Sequence, residues 1–355
     1  MKLIHCADIH LDSALEANLD RSRARERKAE LCTAFARMVR YARENGVEAV
    51  LIAGDLFDSV RVSAATAEFV LDRIRSAPEV SFLYLRGNHD EAADPFDGLE
   101  RPCNLLTFGR EWTYFHFGDV TIAGIDPEDW DGFYDQLELN PGRTNIVMLH
   151  GQTSTQPGRE MIALPKLRRR NIRYLALGHI HTWRQENLDD EGIWCYSGCL
   201  EGRGFDECGE KGFVLLETKD GGVKSQFVSF ASRRLYNVPV DITGLTTVPQ
   251  IRQAMENAAD GIHSDSLVKF TLTGTYTPQT QKDLQFLRKS MEMFFWFVKI
   301  KDESRFDIPK ESYEHDISLK GEFIRLVMAS DRSEDEKAKI ICCGIQALSG
   351  EEIVL

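Results

Sequence analysis

Seven residues of this chain carry side chains suited to holding metal ions, and they recur in one kind of place. Asp8 and His10 stand in Asp8-Ile9-His10, Asp55 in Gly54-Asp55-Leu56-Phe57-Asp58, and Asn88 in Arg86-Gly87-Asn88-His89-Asp90. His150 stands in His150-Gly151, and His179 and His181 in Gly178-His179-Ile180-His181. Carboxylate, amide oxygen and imidazole donors without thiolates suit Mn²⁺, Fe²⁺ or Zn²⁺ better than a soft metal. Seven donors exceed the needs of one ion and match those of two. A shared carboxylate, for which Asp55 is the natural choice, would hold two ions roughly 3.5–4 Å apart. With a bridging hydroxide it would place negative charge between the cations. Such a pair lowers the pKa of bound water and clamps the oxygens of an in-line displacement at phosphorus. His89, beside Asn88 and followed by the carboxylate of Asp90, reads as a general acid.

The elements that must position these residues are legible upstream of each. The apolar runs Leu3–Ala7, Ala49–Ala53, Val80–Leu85, Asn145–Leu149 and Ile172–Leu177 read as buried strands, each ending at one of the five stretches. In open α/β sheets functional groups gather beyond the carboxyl ends of the strands. Gly54, Gly87 and Gly178 let the backbone turn sharply beneath the donors. A single histidine after a strand is more often a packed or solvated side chain, and Gly-Asp alone is a turn. Five such stretches in order, using five of the chain's nine histidines, carry the two-metal reading.

Helices alternate with the first strands. Residues 21–45 place Leu31, Phe35, Met38, Val39 and Ala42 on one face, and Ser63 caps a second helix to Arg75. From Trp112 the pattern turns to hairpins, at Gly118-Asp119, 189–192 and 219–222. A parallel sheet with a second, antiparallel sheet packed on it makes an α/β, αββα sandwich over residues 1–232. Residues 233–305 read as a small α+β unit with helices at 247–258 and 279–291 and a strand at 294–300. Residues 306–355 form a tail with amphipathic helices at 319–329 and 334–348. Ser333-Glu334-Asp335-Glu336 has a capping-box pattern.

The chain carries 43 Lys+Arg against 56 Asp+Glu, a net charge of −13, which argues against a uniformly basic nucleic-acid binder. Arginines cluster locally at Arg21, Arg23, Arg25, Arg27 and Lys28, and at Lys166, Arg168, Arg169, Arg170 and Arg173. Such clusters contact phosphates without reading bases, or simply form solvated faces. Eight cysteines show no CxxC pair; Cys195, Cys199 and Cys208 are clustered but lack zinc spacing and read as reduced thiols. With no signal peptide and no membrane-length apolar run, a cytoplasmic location is expected.

Asp8-x-His10, Gly54-Asp55, Gly87-Asn88-His89-Asp90, His150 and Gly178-His179-x-His181 together resemble the calcineurin-like metallophosphoesterases. The resemblance covers roughly residues 1–230. It implies one ion held by Asp8, His10, Asp55 and His181, and a second by Asp55, Asn88, His150 and His179. It also implies that His89, oriented by Asp90, stabilises developing charge and protonates the leaving oxygen. The opening residues 2–13 and the stretch Ala53–Asp58 are similar to the SbcD-type DNA repair exonucleases, the YhaO-like subgroup most of all. Tyr196–Glu207 adds to that similarity, with Cys199 where the pattern has Ser.

That branch implies Mn²⁺ as the first choice of metal, with Fe²⁺, Zn²⁺ or Mg²⁺ as alternatives. It implies residues 235–305 as a capping domain that selects DNA shape, and C-terminal helices that dock an ABC-type coiled-coil ATPase. A homodimer is a further expectation. Arg61 and Arg203 are the residues expected to meet phosphate or DNA. A small-molecule phosphodiesterase or phosphatase shares the same core chemistry and stays open as an alternative. A non-catalytic scaffold is opposed by the intact donor set.

Overall fold

The computed structural model describes the chain except residues 14, 16–18, 59–61, 91–93, 278–279, 308–312, 314 and 350–355, together with the side chains of residues 334, 335, 342, 346 and 349. It divides into two compact units, Met1–Arg234 and Leu235–Leu355.

Among its described residues the first unit has fourteen strands: β1 (Lys2–Cys6), β2 (Ala49–Ala53), β3 (Ser81–Leu85), β4 (Leu105–Thr107), β5 (Thr113–Phe117), β6 (Val120–Gly124), β7 (Thr144–His150), β8 (Gln152–Ser154), β9 (Met161–Ala163), β10 (Tyr174–Gly178), β11 (Arg184–Asn187), β12 (Ile193–Tyr196), β13 (Gly212–Lys219) and β14 (Gly222–Ser229). One six-stranded sheet runs β14-β13-β1-β2-β3-β4, and a second runs β11-β12-β10-β7-β6-β5. The strands that lead to the site are apolar throughout because both of their faces are covered. Leu3, Leu51 and Leu83 pack between the sheets against Ile122, Ile146 and Met148. Ile4, Val50, Ile52 and Phe82 turn the other way, toward the helices.

Helix α1 (Arg21–Glu44) is capped by Asp20, whose carboxylate accepts the Ser22 and Arg23 N–H groups at 2.9 Å. It buries Leu31, Phe35, Met38 and Val39. Helix α2 (Ala64–Arg75) starts at Ser63, whose hydroxyl accepts Thr66 N–H, and buries Val70, Leu71 and Ile74. Each such fully buried side chain contributes about 1.5–3 kcal/mol. This stripe fixes the helices against the first sheet, so the strand ends cannot drift.

The second sheet is not antiparallel as the sequence pattern suggests. Its centre, β12-β10-β7-β6, is parallel, with antiparallel pairs only at the β11 and β5 edges. The β13–β14 hairpin returns to the first sheet, where β13 pairs antiparallel with β1, Leu3 opposite Leu216. An apolar run looks the same in either sheet, and only the partner strand decides the direction of pairing.

The second unit holds a parallel sheet of β15 (Leu235–Asp241), β16 (Leu267–Thr273) and β18 (Phe297–Asp302), with β17 (Thr275–Tyr276) and β19 (Arg305–Phe306) paired beside it. Helices α3 (Val248–Ala258) and α4 (Leu284–Met291) cover it. Helix α4 starts later than its periodicity suggests. The Asp283 carboxylate caps it at Phe286 N–H, while Thr280 and Gln281 spend their N–H groups on Thr277 and Thr246 carbonyls in a preceding turn. Helices α5 (Leu319–Met328) and α6 (Glu334–Ser349) meet through Ile324, Ile341 and Ile345. The capping box forms: Ser333 N–H donates to Glu336, and Glu336 N–H donates to Ser333 Oγ. No helix among the described residues is long and apolar enough to cross a membrane.

Candidate metal centre

All seven expected donors lie at the carboxyl ends of β1, β2, β3, β7 and β10. The turns that present them are unusual. Asp8, His10, Asp55 and His179 all have positive φ, at 51°, 52°, 51° and 102°, a region that L-residues enter at a cost. The loops are held there by main-chain bonds from Asp8 N–H to Gly54 O and from His10 N–H to Asp55 O, at 3.1 and 3.0 Å. The glycines make room for the donors. A Cβ on Gly54 would run into the His150 ring, one on Gly87 into the Asp55 carboxylate, and one on Gly178 into the Ala53 carbonyl.

Two groups of donors result. In the first, donor atoms of Asp8, His10 and His181 lie within 4.8 Å of one another. The two imidazole Nε2 atoms of His10 and His181 are 3.2 Å apart. In the second, Asn88 Oδ1 is 2.9 Å from His150 Nε2 and 3.3 Å from His179 Nδ1. Asp55 stands between them, its Oδ2 3.8 Å from His10 Nε2 and 3.4 Å from His150 Nε2. Asp8 also reaches the second group, with Asp55 and His150. Asp8 accepts His179 N–H, and Asp55 accepts His89 N–H, so each carboxylate is aimed by backbone.

These residues fit a pair of divalent cations. His150 Nδ1–H donates to the Ala53 carbonyl at 2.9 Å, which leaves the Nε2 lone pair facing two oxygens. Acceptors facing acceptors need a cation between them. The titration behaviour follows from the same crowding. Burial pulls the His150 imidazole down, but Asp55, Asp8 and the Ala53 carbonyl push it up to about 9. Burial pushes Asp8 up. Burial also pushes Asp55 up, but the His150 and His10 imidazoles and the His89 N–H outweigh this and hold it well below the usual carboxylate range.

The carboxylate that orients His89 is Asp58, not Asp90. Asp58 Oδ1 lies 2.9 Å from His89 Nδ1 and 3.3 Å from His10 Nδ1. Asp90 points the other way and accepts the Leu56, Phe57 and Gly87 N–H groups, locking the turns under Asp55 and Asn88. Adjacent residues in a 3₁₀ turn project in different directions, which a sequence neighbour argument overlooks. Burial and the nearby Asp55 charge push the Asp90 carboxyl up to about 6, against the pull of its N–H donors.

Arg203, expected to meet phosphate, commits its guanidinium to Asp58 at 3.0 Å and to Glu207 at 3.0–3.2 Å. Arg61 lies outside the described residues. Of the first arginine cluster, Arg27 is buried against Glu30 and Glu201 and Arg23 pairs with Asp20, leaving Arg21, Arg25 and Lys28 exposed. The second cluster precedes β10, so it lies at that strand's amino end, roughly 17 Å from the donors at the other. Arg170 and Arg173 pair there with Asp135 and Glu191. Sequence reasoning assigned no role to Asp58 or Glu207. Asp58 had a signal, three residues beyond Asp55 in the same turn; Glu207, in irregular chain, had none.

Residues 1–183 match the calcineurin-like phosphoesterase family. The chain belongs to that family. It is therefore a phosphoesterase-type hydrolase fold whose relatives use a dinuclear metal site. It is 26% identical over 336 residues to the uncharacterized metallophosphoesterase YhaO of Bacillus subtilis, covering 86% of this chain and 82% of that protein. It is 26% identical over 286 residues to the DNA double-strand break repair protein Mre11 of Methanopyrus kandleri, covering 71% of this chain and 62% of that one. The Mre11 of Sulfurisphaera tokodaii is 25% identical over 343 residues, covering 88% and 85%.

Proposed function

We propose that this protein is a two-metal phosphodiesterase that cuts DNA as part of DNA repair. The observation that carries the chemistry is the pair of donor groups meeting at Asp55. Two divalent cations, Mn²⁺ first among them, would supply an activated water and charge neutralisation at phosphorus when bound. Asp8, His10, Asp55 and His181 would hold one, and Asp55, Asn88, His150 and His179 the other. His89 is half-exposed beside the donors with its Nδ1 2.9 Å from Asp58, so Nε2 is the ring nitrogen to give a proton to the leaving oxygen.

DNA as the substrate is supported by the two relatives named for double-strand break repair, one of them aligned along most of both units. Exposed Arg21, Arg25 and Lys28 on the first turns of α1, which begins near the carboxyl end of β1, suit phosphate contact from the metal side. Helices α5 and α6 expose Leu319, Leu326 and Leu348, a face suited to an ATPase partner.

The deciding assay compares linear double-stranded DNA, single-stranded DNA and bis-p-nitrophenyl phosphate as substrates of purified protein with Mn²⁺, with His89→Ala as control. DNA cleavage that the substitution abolishes is the expected result. Turnover of the small diester alone, still absent on DNA after an ATPase partner is added, would replace the nuclease with a small-molecule phosphodiesterase.

A further inference from the structure

His181 is gripped by a segment that follows β12 and contributes none of the seven donors. Its Nδ1 lies 2.7 Å from Glu207 Oε1. Its carbonyl accepts Lys211 Nζ at 2.6 Å and Cys199 N–H at 3.4 Å. Glu207 and Lys211 are 5% and 1% exposed. A buried carboxylate against an imidazole Nδ1 keeps the proton on that nitrogen, sets the ring plane and leaves the Nε2 lone pair pointing away, here toward His10 Nε2 at 3.2 Å.

Glu207 is itself held. Its Oε2 accepts Arg203 N–H at 2.7 Å, and its Oε1 accepts Arg203 Nε and Nη2 at 3.2 and 3.0 Å. The same guanidinium reaches Asp58 Oδ2 through Nη1 at 3.0 Å. Asp58 Oδ1 in turn faces the Nδ1 atoms of His10 and His89. One planar fork thus ties together two carboxylates that face three imidazoles, a geometry that a lysine ammonium does not reproduce.

We propose that Glu207 is a positioning residue for the first donor group, and that Arg203 couples it to Asp58 so that His10, His89 and His181 are oriented as one unit. The proposal rests on the two-metal reading. It assigns a purpose to the stretch Arg203–Glu207, which supplies none of the seven donors. The segment after the second sheet's last parallel strand acts as a strap on one metal position and leaves the other alone. His150 leans instead on the main-chain carbonyl of Ala53.

The test is a Mn²⁺ titration of the full chain by calorimetry, paired with electron paramagnetic resonance of the bound ions, for the wild type, Glu207→Gln and Arg203→Lys. Glu207→Gln is expected to bind one equivalent as the wild type does and the other about 10–100-fold more weakly, losing the spin-coupled pair signal at low metal. Arg203→Lys, which keeps a positive charge beside Glu207, is expected to weaken the same equivalent by less. It also serves as the readout should Glu207→Gln fail to fold. Both variants binding both equivalents normally, or both equivalents weakening alike, would overturn the proposal, because a merely structural strap would not discriminate between the ions. A wild type that takes up only one Mn²⁺ would bring down the two-metal reading instead, and is visible before any variant is made.

Discussion

The two donor groups are built from similar atoms and supported differently. Behind the first, His181 rests on Glu207 and His10 on Asp58, so both imidazoles face carboxylates. Behind the second, His150 donates to a neutral main-chain carbonyl, and a Cβ added at Gly54 would run into the ring. A carboxylate behind an imidazole makes it a stronger base and a better metal ligand than a carbonyl does. The first position should therefore hold its ion more tightly, and the second should fill and empty more readily. The contrast is between a position tuned by side-chain charge and one shaped by backbone. Burial pushes Glu207 up, but His181 and Arg203 hold it down to about 2, so this backing stays charged.

Asp55→Ala should break the comparison outright. It removes the carboxylate both groups share, so metal analysis is expected to find neither ion retained and turnover below detection. Retention of a full pair would show that the groups do not meet at Asp55. His89→Ala should leave the comparison intact while slowing turnover about 10²–10⁴-fold, with metal content unchanged. An emptied metal site in that variant would mean that His89 is a ligand rather than an acid.

Asp58→Asn should sharpen the contrast. Among the described residues it touches His10 and His89 and none of the second group, so about a 10–100-fold loss of affinity is expected for one Mn²⁺ equivalent only. Equal weakening of both equivalents would count against separate support. Gly54→Ala is the mirror experiment on the second group. Its Cβ meets the His150 ring at a φ of +95°, so a stability loss of about 1–3 kcal/mol is expected, with the weaker ion affected. Thermal unfolding should report a midpoint lower by about 2–4 °C per kcal/mol. A variant as stable as the wild type would mean that the ring has room to move.

The contrast between the supports was invisible in the sequence, although the donors were not. Each donor follows an apolar run short enough to be a strand, and a strand's end is a place that local sequence can mark. His5 shows where that reasoning discriminates. It lies inside β1 rather than after it, and it is a core histidine bonded to Tyr174 and pushed down to about 3 by burial. The supports are different. Glu207 reaches His181 across 26 residues that include β11 and β12, and Asp58 displaced Asp90 because a 3₁₀ turn rotated the nearer carboxylate away. The arginines before β10 are near the His179 stretch in sequence, but β10 itself separates them from the donors.

Local sequence alone marks the strand–turn units, the candidate donors at their ends and the αββα class. Apolar runs, turn glycines and helix caps act over a few residues, and their signal is local. Only the tertiary structure decided that the second sheet is parallel at its centre, that β13 closes the first sheet against β1, and that one arginine joins two carboxylates behind three imidazoles. Those facts depend on which distant segments share a face once both sheets are buried. Many pairings satisfy the same hydrophobic pattern, and packing selects among them.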